Sequence, residues 1–241
     1  MITKNQIKYI RGLSLKKNRM KNQCFIVEGE KSLSELLDSS FETVELFALK
    51  DWINKYKEVS EKVQAVSSKE LERISNLKSP NKVLAVVKMR KQETIQKKLA
   101  VTLVLDDIND PGNLGTIIRM CDWFGVKQIV CSENTVDIYN PKVVQATMGS
   151  LFRVNVLYVN LVKYLSKVNA PIYGSYMKGE NIKNTNSERN SHLVMGNEAN
   201  GISQEVSKFI TDRVAIKNIG GTTESLNVAV ATSILLHEFC N

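Results

Sequence analysis

The feature that most constrains the fold is a repeated alternation of short apolar runs with amphipathic segments across residues 99–241. The runs are nearly continuous in Val, Ile and Leu, which is typical of parallel strands covered by helices on both faces. We therefore expect an α/β domain with a parallel sheet. Its predicted strands are AVTLVLDDI, QIVCSE, LFRVNVLYV, PIYGSYM, SHLVMGN and DRVAIKN.

Residues 1–91 show the same alternation on a smaller scale. A basic helical segment is followed by the predicted strands CFIVEG, TVELFAL, VQAVS and VLAVV, with helices between them. The charged stretch around residues 92–98 has no large apolar cluster and indicates a linker. The predicted organisation is a smaller α/β domain over 1–91, a linker over 92–98 and a larger domain over 99–241.

Charge is divided unevenly between the two halves. Residues 1–98 carry 21 Lys and Arg against 12 Asp and Glu, whereas residues 99–241 carry 12 against 13. This asymmetry favours a polyanion-binding module attached to a near-neutral domain, with a solvated basic face as the alternative. Seven of the cations cluster near the start of the chain: Lys4, Lys8, Arg11, Lys16, Lys17, Arg19 and Lys21.

Composition disfavours several classes of protein. No apolar run approaches the roughly 18 residues that span a bilayer, and the first residues lack a secretory signal region, so we expect a cytoplasmic protein. The four cysteines form no CxxC pair, and the chain has two histidines. We therefore predict neither a metal site nor a disulfide framework.

Three loops that follow predicted strands carry polar residues between glycines and turns. They are NDPGNLGTIIR with Asn113 and Arg119, VMGNEANGIS with Glu198, and IKNIGGTTESLNVAVA with Ser225 and Asn227. Because ligands bind beyond the carboxyl ends of parallel strands, we expect these loops to converge. We predict helices over 114–124 and 225–239, with Ser203 capping the helix after the second loop.

Each loop also has a structural explanation on its own. Asn113 could cap a helix, Arg119 could pair with Asp122 on the surface, Glu198 could be solvated, and Ser225 could be a helix cap. A dinucleotide-binding oxidoreductase is disfavoured, because the glycines of PGNLG do not have the G-x-G-x-x-G spacing.

The three loops together resemble the motifs of SpoU-type, TrmH-like RNA 2′-O-ribose methyltransferases. The matching motifs are NxGxxxR over 113–119, GNExxGIS over 196–203 and ESLNVAVA over 224–231, in the order and spacing of that family. The resemblance covers essentially all of residues 100–241. The segments FIVEGEKSLSELL and VLAVV are similar to the substrate-binding domain that many members carry.

The resemblance implies a fold, a cofactor and an assembly. The larger domain would form a deep trefoil knot, which general connectivity rules do not predict. The cofactor would be S-adenosylmethionine, and the protein would be a homodimer. Backbone groups of Gly196, Ile216 and Leu226 would contact the cofactor. Further cofactor contacts are implied at Met195, Asn197, Ile219 and Gly221, although the residues after Ile216 depart from the family pattern.

The resemblance assigns Arg119 to the ribose 2′-hydroxyl. Because a guanidinium is effectively never deprotonated, we predict that Arg119 clamps the target phosphate and the developing oxyanion, while a phosphate or water takes the proton. Asn113 would orient the substrate or Arg119, and Glu198 would position Arg119 or elements of the partner subunit. Ser225 and Asn227 would shape the contacts to the cofactor loop and the ribose.

The predicted substrate is RNA, bound electrostatically through the seven N-terminal cations. Ribosomal RNA is favoured over tRNA, because the separate N-terminal domain resembles that of rRNA-modifying members. The alternatives are a tRNA 2′-O-methyltransferase and a non-catalytic RNA-binding protein with the same fold.

Overall fold

The computed structural model describes most of the chain: residues 1–57, 63–96, 99–185 and 190–240. The chain forms two compact units. The first contains Met1–Lys91 and Asp137–Phe152, and the second contains Gln92–Val136 and Arg153–Asn241. Of the predicted linker, residues 97 and 98 lie outside the described residues, and the predicted domain boundaries stay a prediction.

The first unit is built on a four-stranded sheet with the order β1-β4-β2-β3. Its strands are β1 (Cys24–Glu28), β2 (Thr43–Ala48), β3 (Val63–Ala65) and β4 (Val83–Lys88). Strand β4 is antiparallel to both neighbours, whereas β2 and β3 are parallel. The helices are α1 (Lys4–Gly12), α2 (Lys16–Asn22), α3 (Glu30–Leu37), α4 (Lys50–Lys55) and α5 (Ser68–Ile74).

The second unit contains a six-stranded sheet in which every neighbouring pair is parallel, as the apolar runs predict. Its strands are β5 (Val101–Leu105), β6 (Gln128–Ser132), β7 (Asn155–Val159), β8 (Ile172–Asn181), β9 (Ser191–Met195) and β10 (Asp212–Ala215). Its helices are α6 (Pro111–Trp123), α8 (Leu161–Leu165), α9 (Gln204–Ser207) and α10 (Val228–Cys240).

The strand order is β10-β8-β9-β5-β6-β7, and the connections between strands lead away from β5 in opposite directions along the sheet. From β5 the chain proceeds outward through β6 and β7, whereas β8, β9 and β10 lie on the other side. The loops after the neighbouring strands β5 and β9 therefore lead to opposite sides of the sheet. Such a switch point forms a crevice, which is where open α/β sheets bind ligands.

Residues 137–152 pack in the first unit, although they lie between β6 and β7 in the chain. They form helix α7 (Pro141–Thr147) and a 3-10 turn at Ser150–Phe152. The Tyr139 ring lies 4.5 Å from that of Phe25, measured between centroids, and Phe152 lies 5.0 Å from Phe41. Helix periodicity carries no information about which unit a helix such as α7 joins.

Arg19 corrects one part of the predicted RNA-contact set. Its side chain is 2% exposed, and Nη2 lies 2.6 Å from Oδ2 of Asp137. Nη1 donates hydrogen bonds to the carbonyls of Leu13 and Ser14. Arg19 is therefore a buried structural residue, since its guanidinium has almost no surface to offer a phosphate. The other six cations of the cluster are exposed.

His192 is a buried histidine near the start of β9. Its Nε2 lies 2.7 Å from the Tyr164 hydroxyl, while Nδ1 is buried and has no hydrogen-bond partner among the described residues. Protonation would place a charged N–H there without a partner, and burial lowers the pKa of His192 from 6.5 to about 4. His192 is therefore neutral at physiological pH.

This burial predicts a pH-dependent loss of stability. Between pH 6.5 and 4 the unfolded chain binds the His192 proton and the folded chain does not, so stability is complete above pH 6.5 and falls as the pH decreases. The loss is expected to reach about 3 kcal/mol. Urea unfolding of the wild type and of His192→Gln across this range measures it. Equal pH slopes in the two proteins would contradict the assignment.

Within the described ranges, no helix is both long and apolar enough to cross a membrane.

Candidate active site

The first loop places Asn113 in the first turn of α6 with its side chain available. Asp110 is the N-cap, because its Oδ1 accepts the N–H of Asn113 at 2.8 Å, and Pro111 follows at the first helical position. The helix therefore begins three residues earlier than predicted. The interpretation of Asn113 as the helix cap is wrong, so its carboxamide can make other contacts.

The third loop ends in a cap of the same kind. Asn227 Oδ1 accepts the N–H groups of Ala229 and Val230, which makes Asn227 the cap of α10. The helix begins at Val228 rather than at the predicted Ser225. Ser225 is exposed and makes no hydrogen bond to the described residues, so the interpretation of Ser225 as a cap is wrong.

A chain of hydrogen bonds joins all three loops. Asn113 Nδ2 donates to Oε1 of Glu198 at 2.6 Å, and Asn227 Nδ2 donates to Oδ1 of Asn113 at 3.0 Å. Both ends of the Asn113 carboxamide are thereby used, which fixes its orientation. The predicted convergence of the loops is confirmed, and Glu198 is bonded to Asn113 rather than to Arg119.

Arg119 lies six residues after Asn113 on α6 and is exposed. It makes no ion pair or hydrogen bond with any residue in the described ranges. Asp122, the alternative surface partner, instead binds Arg153, with Nη2 and Oδ2 2.7 Å apart. The Arg119–Asp122 interpretation is therefore wrong. A planar guanidinium without an internal partner is suited to receive an anion from solution.

Glu198 is carried by a tight hairpin between Asn197 and Gly201, whose backbone groups exchange hydrogen bonds of 3.0 and 2.9 Å. Gly196 permits this closure, because a Cβ at that position would lie 2.2 Å from Gly201 C and Ile202 N. The side of Gly196 where a Cβ would stand is therefore occupied by the protein's own backbone. Ser203 then caps α9 as predicted, accepting the N–H of Val206.

Gly196→Ala is expected to force the hairpin apart and to lower the free energy of unfolding by about 1–3 kcal/mol. The cause is the backbone clash, which a small side-chain rotation does not relieve. Gly220→Ala is the matched control, since a Cβ there meets nothing within 4 Å. Thermal unfolding of both variants tests the point, and equal losses would contradict it.

Two of the residues predicted to contact the cofactor, Met195 and Asn197, make hydrogen bonds within the protein. Met195 is 2% exposed, and its carbonyl accepts the N–H of Asp106, so it offers almost no surface to a ligand. Asn197 Nδ2 donates to the Asp107 carbonyl, and its Oδ1 accepts two backbone N–H groups of the hairpin. The hydrogen-bonding groups of Asn197 are therefore engaged within the protein.

The other predicted cofactor residues remain accessible. Ile219 is 95% exposed and Leu226 is 49% exposed, while Gly221 has a φ of +113° with open space where a Cβ would stand. Among the described residues, the backbone amides of Ile219, Gly221 and Leu226 have no acceptor. Half-buried Ile216 precedes this segment. Accessible, unpaired backbone groups fit a ligand with hydrogen-bonding edges, such as a nucleoside.

Sequence reasoning did not identify Asp106 as a site residue. Its side chain is 6% exposed at the end of β5, and its Oδ2 accepts the N–H of Ser203 at 2.8 Å. The only signal in the sequence is a pair of acids, Asp106 and Asp107, directly after a buried strand. In the described part of the chain, no group of three or more His, Cys, Asp or Glu side chains could hold a metal.

Comparisons with known proteins agree with this geometry. A sequence profile of the SpoU rRNA Methylase family matches residues 100–237, and a profile of the MRM3-like substrate binding domain matches residues 4–85. RlmP of Bacillus subtilis, a 23S rRNA (guanosine(2553)-2′-O)-methyltransferase, is 30% identical over 97% of this chain and 96% of its own length.

Two solved structures have the same fold over nearly the whole chain. A proposed RNA methyltransferase of the TrmH family from Porphyromonas gingivalis is 35% identical, with a TM-score of 0.90 over 99% of this chain and 98% of that one. An AdoMet-bound rRNA methyltransferase from Sinorhizobium meliloti is 27% identical, with a TM-score of 0.88 over 99% and 95%. The chain therefore belongs to the SpoU rRNA methylase family.

Proposed function

We propose that this protein transfers a methyl group from S-adenosylmethionine to a ribose 2′-hydroxyl of RNA, with rRNA as the favoured substrate. The observation that carries the proposal is the Glu198–Asn113–Asn227 chain of hydrogen bonds, which joins the three loops, together with the unpaired Arg119 farther along α6. Family membership and the rRNA substrate in the name of the B. subtilis relative support it.

Arg119 supplies a permanent positive charge at the site. In-line methyl transfer requires the 2′-hydroxyl oxygen to be held in place and its developing negative charge to be stabilised. A guanidinium can hold the neighbouring phosphate and stabilise that charge, but it cannot accept the proton. A phosphate oxygen of the RNA or a water molecule takes the proton.

The three hydrogen-bonded residues orient polar groups toward the RNA. Glu198 and Asn227 hold the Asn113 carboxamide from its two ends, leaving the second N–H of Asn113 Nδ2 to meet a ribose or phosphate oxygen. Ser225, exposed two residues before the cap of α10, is placed to contact the ribose or the cofactor loop. The sequence-based prediction was that Glu198 positions Arg119 or elements of the partner subunit, and the bond from Asn113 to Glu198 adds a third role.

S-adenosylmethionine supplies an electrophilic methyl group on its sulfonium when it is bound. The residues fit this cofactor, because Gly196 and Ile216–Gly221 line the carboxyl ends of β9 and β10. The free backbone groups of Ile219, Gly221 and Leu226 would bind its adenosine.

The RNA is bound through the exposed cations of α1 and α2. A substrate-binding profile covers this part of the chain, and six basic side chains are exposed there. They are Lys4, Lys8, Arg11, Lys16, Lys17 and Lys21. Contacts from such side chains to phosphates release counterions, so binding weakens as salt increases.

Replacing Lys8, Arg11 and Lys17 by Gln is expected to weaken RNA binding and to flatten its salt dependence. Each lost phosphate contact reduces the slope of log K against log salt by about 0.7–0.9. Titrations of RNA at several salt concentrations measure this slope. The matched control removes the same charge from exposed positions of the second unit: Lys163, Lys167 and Lys208. An equal change in the control would place the RNA elsewhere.

The assembly is proposed to be a homodimer. Helices α6 and α10 pack together and leave apolar side chains exposed, including Trp123 at 82% and Val230 at 49%. An apolar surface of this kind favours a protein partner, and a two-fold axis would bury it on both copies. The deep trefoil knot and a cytoplasmic location are proposed from family membership.

To test the function, the protein is incubated with labelled S-adenosylmethionine and with bacterial RNA that lacks endogenous 2′-O-methylation. The positions of ribose methylation in the RNA are then mapped. One dominant site in rRNA is expected. A site in tRNA would favour the tRNA alternative. Cofactor binding without transfer to any RNA, or no cofactor binding, would favour a non-catalytic RNA-binding protein.

A further inference from the structure

We propose that Asp106 and Asn197 form a clamp that positions Glu198 for methyl transfer. The clamp ties the beginning and the end of residues 197–203, which include the hairpin, to Asp106 and Asp107, directly after β5. This inference rests on the proposed function, because the clamp acts on that reaction through Glu198 and Asn113. Neither residue is expected to touch the RNA.

The first tie closes the end of the hairpin. Asp106 Oδ2 accepts the N–H of Ser203 at 2.8 Å, and the Asp106 N–H donates to the Met195 carbonyl at 2.9 Å. Asp106 is 6% exposed and has no cationic partner within the described ranges. A buried carboxylate is costly unless its hydrogen bonds are made, so the bond from the Ser203 N–H offsets part of the cost of burying Asp106.

The second tie fixes the beginning of the hairpin. Asn197 Nδ2 donates to the Asp107 carbonyl at 2.8 Å, across 90 residues of sequence. Its Oδ1 accepts the N–H groups of Ala199 and Asn200 at 2.9 and 3.1 Å, which shapes the turn that carries Glu198. Asp107 itself has a φ of +63°, an uncommon conformation that aims its carbonyl at this donor.

Both ties together determine where Glu198 meets Asn113. The Glu198 carboxylate is exposed, and its bond to Asn113 joins it to the first loop. A displacement of about 1 Å in a positioned group can cost about 100-fold in rate. Loosening one end of the hairpin therefore lowers kcat through Glu198, without removing any group that contacts the RNA or the cofactor.

The test compares Asn197→Asp with Asn200→Asp. The first variant keeps the Oδ1 acceptor of the turn but replaces the donor to Asp107 by a repelling oxygen. The second makes the same chemical change at an exposed side chain of the same hairpin with no partner in the described chain. We expect kcat to fall about 10- to 100-fold for Asn197→Asp, with the cofactor Kd within about 2-fold, and Asn200→Asp to match the wild type.

Two further measurements separate positioning from simple destabilisation. In a Glu198→Ala background, Asn197→Asp is expected to change kcat by less than about 2-fold, because the clamped group is absent. Asp106→Asn is expected to retain activity through its remaining acceptor oxygen, whereas Asp106→Ala is expected to lose it. An undiminished effect of Asn197→Asp without Glu198 would overturn the proposal.

Amide hydrogen exchange at Ser203 reports the clamp whether or not methyl transfer occurs. Faster exchange in Asp106→Ala than in the wild type is expected, and unchanged exchange would overturn the clamp. If exchange accelerates but wild-type protein methylates no RNA, then the proposed function fails, and the positioning role fails with it. Faster exchange with unchanged kcat would overturn the positioning role alone.

Discussion

Arg119→Ala is expected to reduce methyl transfer by about 100- to 1,000-fold, which is the cost of losing one preorganised group that stabilises developing negative charge. The cofactor Kd is expected to remain unchanged, because Arg119 lies on α6 and outside the segment 216–221. Single-turnover transfer to RNA with saturating cofactor measures the effect on the chemical step directly.

Two controls identify the source of the loss. Arg119→Lys keeps the charge but loses the planar fork of donors, so intermediate activity is expected. Lys127→Ala removes an exposed cation directly before β6, at the amino ends of the parallel strands and away from the loops of the site, and is expected to match the wild type. Full turnover by Arg119→Ala, with normal RNA binding, would contradict the assigned role.

Arg19→Met is expected to lower the free energy of unfolding of the first unit by about 3–5 kcal/mol. The substitution retains the aliphatic stem but leaves the Asp137 carboxylate without its cation and two backbone carbonyls without a donor. Urea unfolding followed by the fluorescence of Trp52, which is 1% exposed in this unit, measures the loss.

Lys17→Met is the matched control for this prediction. Lys17 lies on the same helix and is exposed, so its replacement is expected to change stability by less than about 0.5 kcal/mol. The two variants also separate stability from RNA binding, since Lys17 is expected to contribute to the salt dependence. Equal stability of Arg19→Met and the wild type would show that the buried ion pair contributes nothing.

The sheet of the second unit was predictable, because its central strands are buried on both faces and read as unbroken apolar runs. Strand β5 and strand β9 are buried at every position. The ends of the elements were less predictable, since they depend on which polar side chain captures the first free N–H groups. Asp110 and Asn227 take this role, whereas the sequence analysis considered Asn113 and Ser225 as caps.

The site was predictable to the level of its loops, because each motif follows a parallel strand and the carboxyl ends of parallel strands lie on the same side of the sheet. The hydrogen-bond partners of the residues in the site were not predictable. Bonds between Asp106 and Ser203, or between Asn197 and Asp107, span 97 and 90 residues and leave no periodic signal. The burial of Arg19 escaped prediction for the same reason, since Asp137 lies 118 residues away.

The most direct test of the central claim is the chemical position of the transferred methyl group. RNA labelled by the wild-type protein would be digested to nucleosides, and the labelled nucleoside compared with 2′-O-methyl and base-methylated standards. The proposed function predicts a 2′-O-methylated nucleoside, with a neighbouring linkage that resists alkaline cleavage. Label on a base, or on no RNA while the cofactor is bound, would contradict the account.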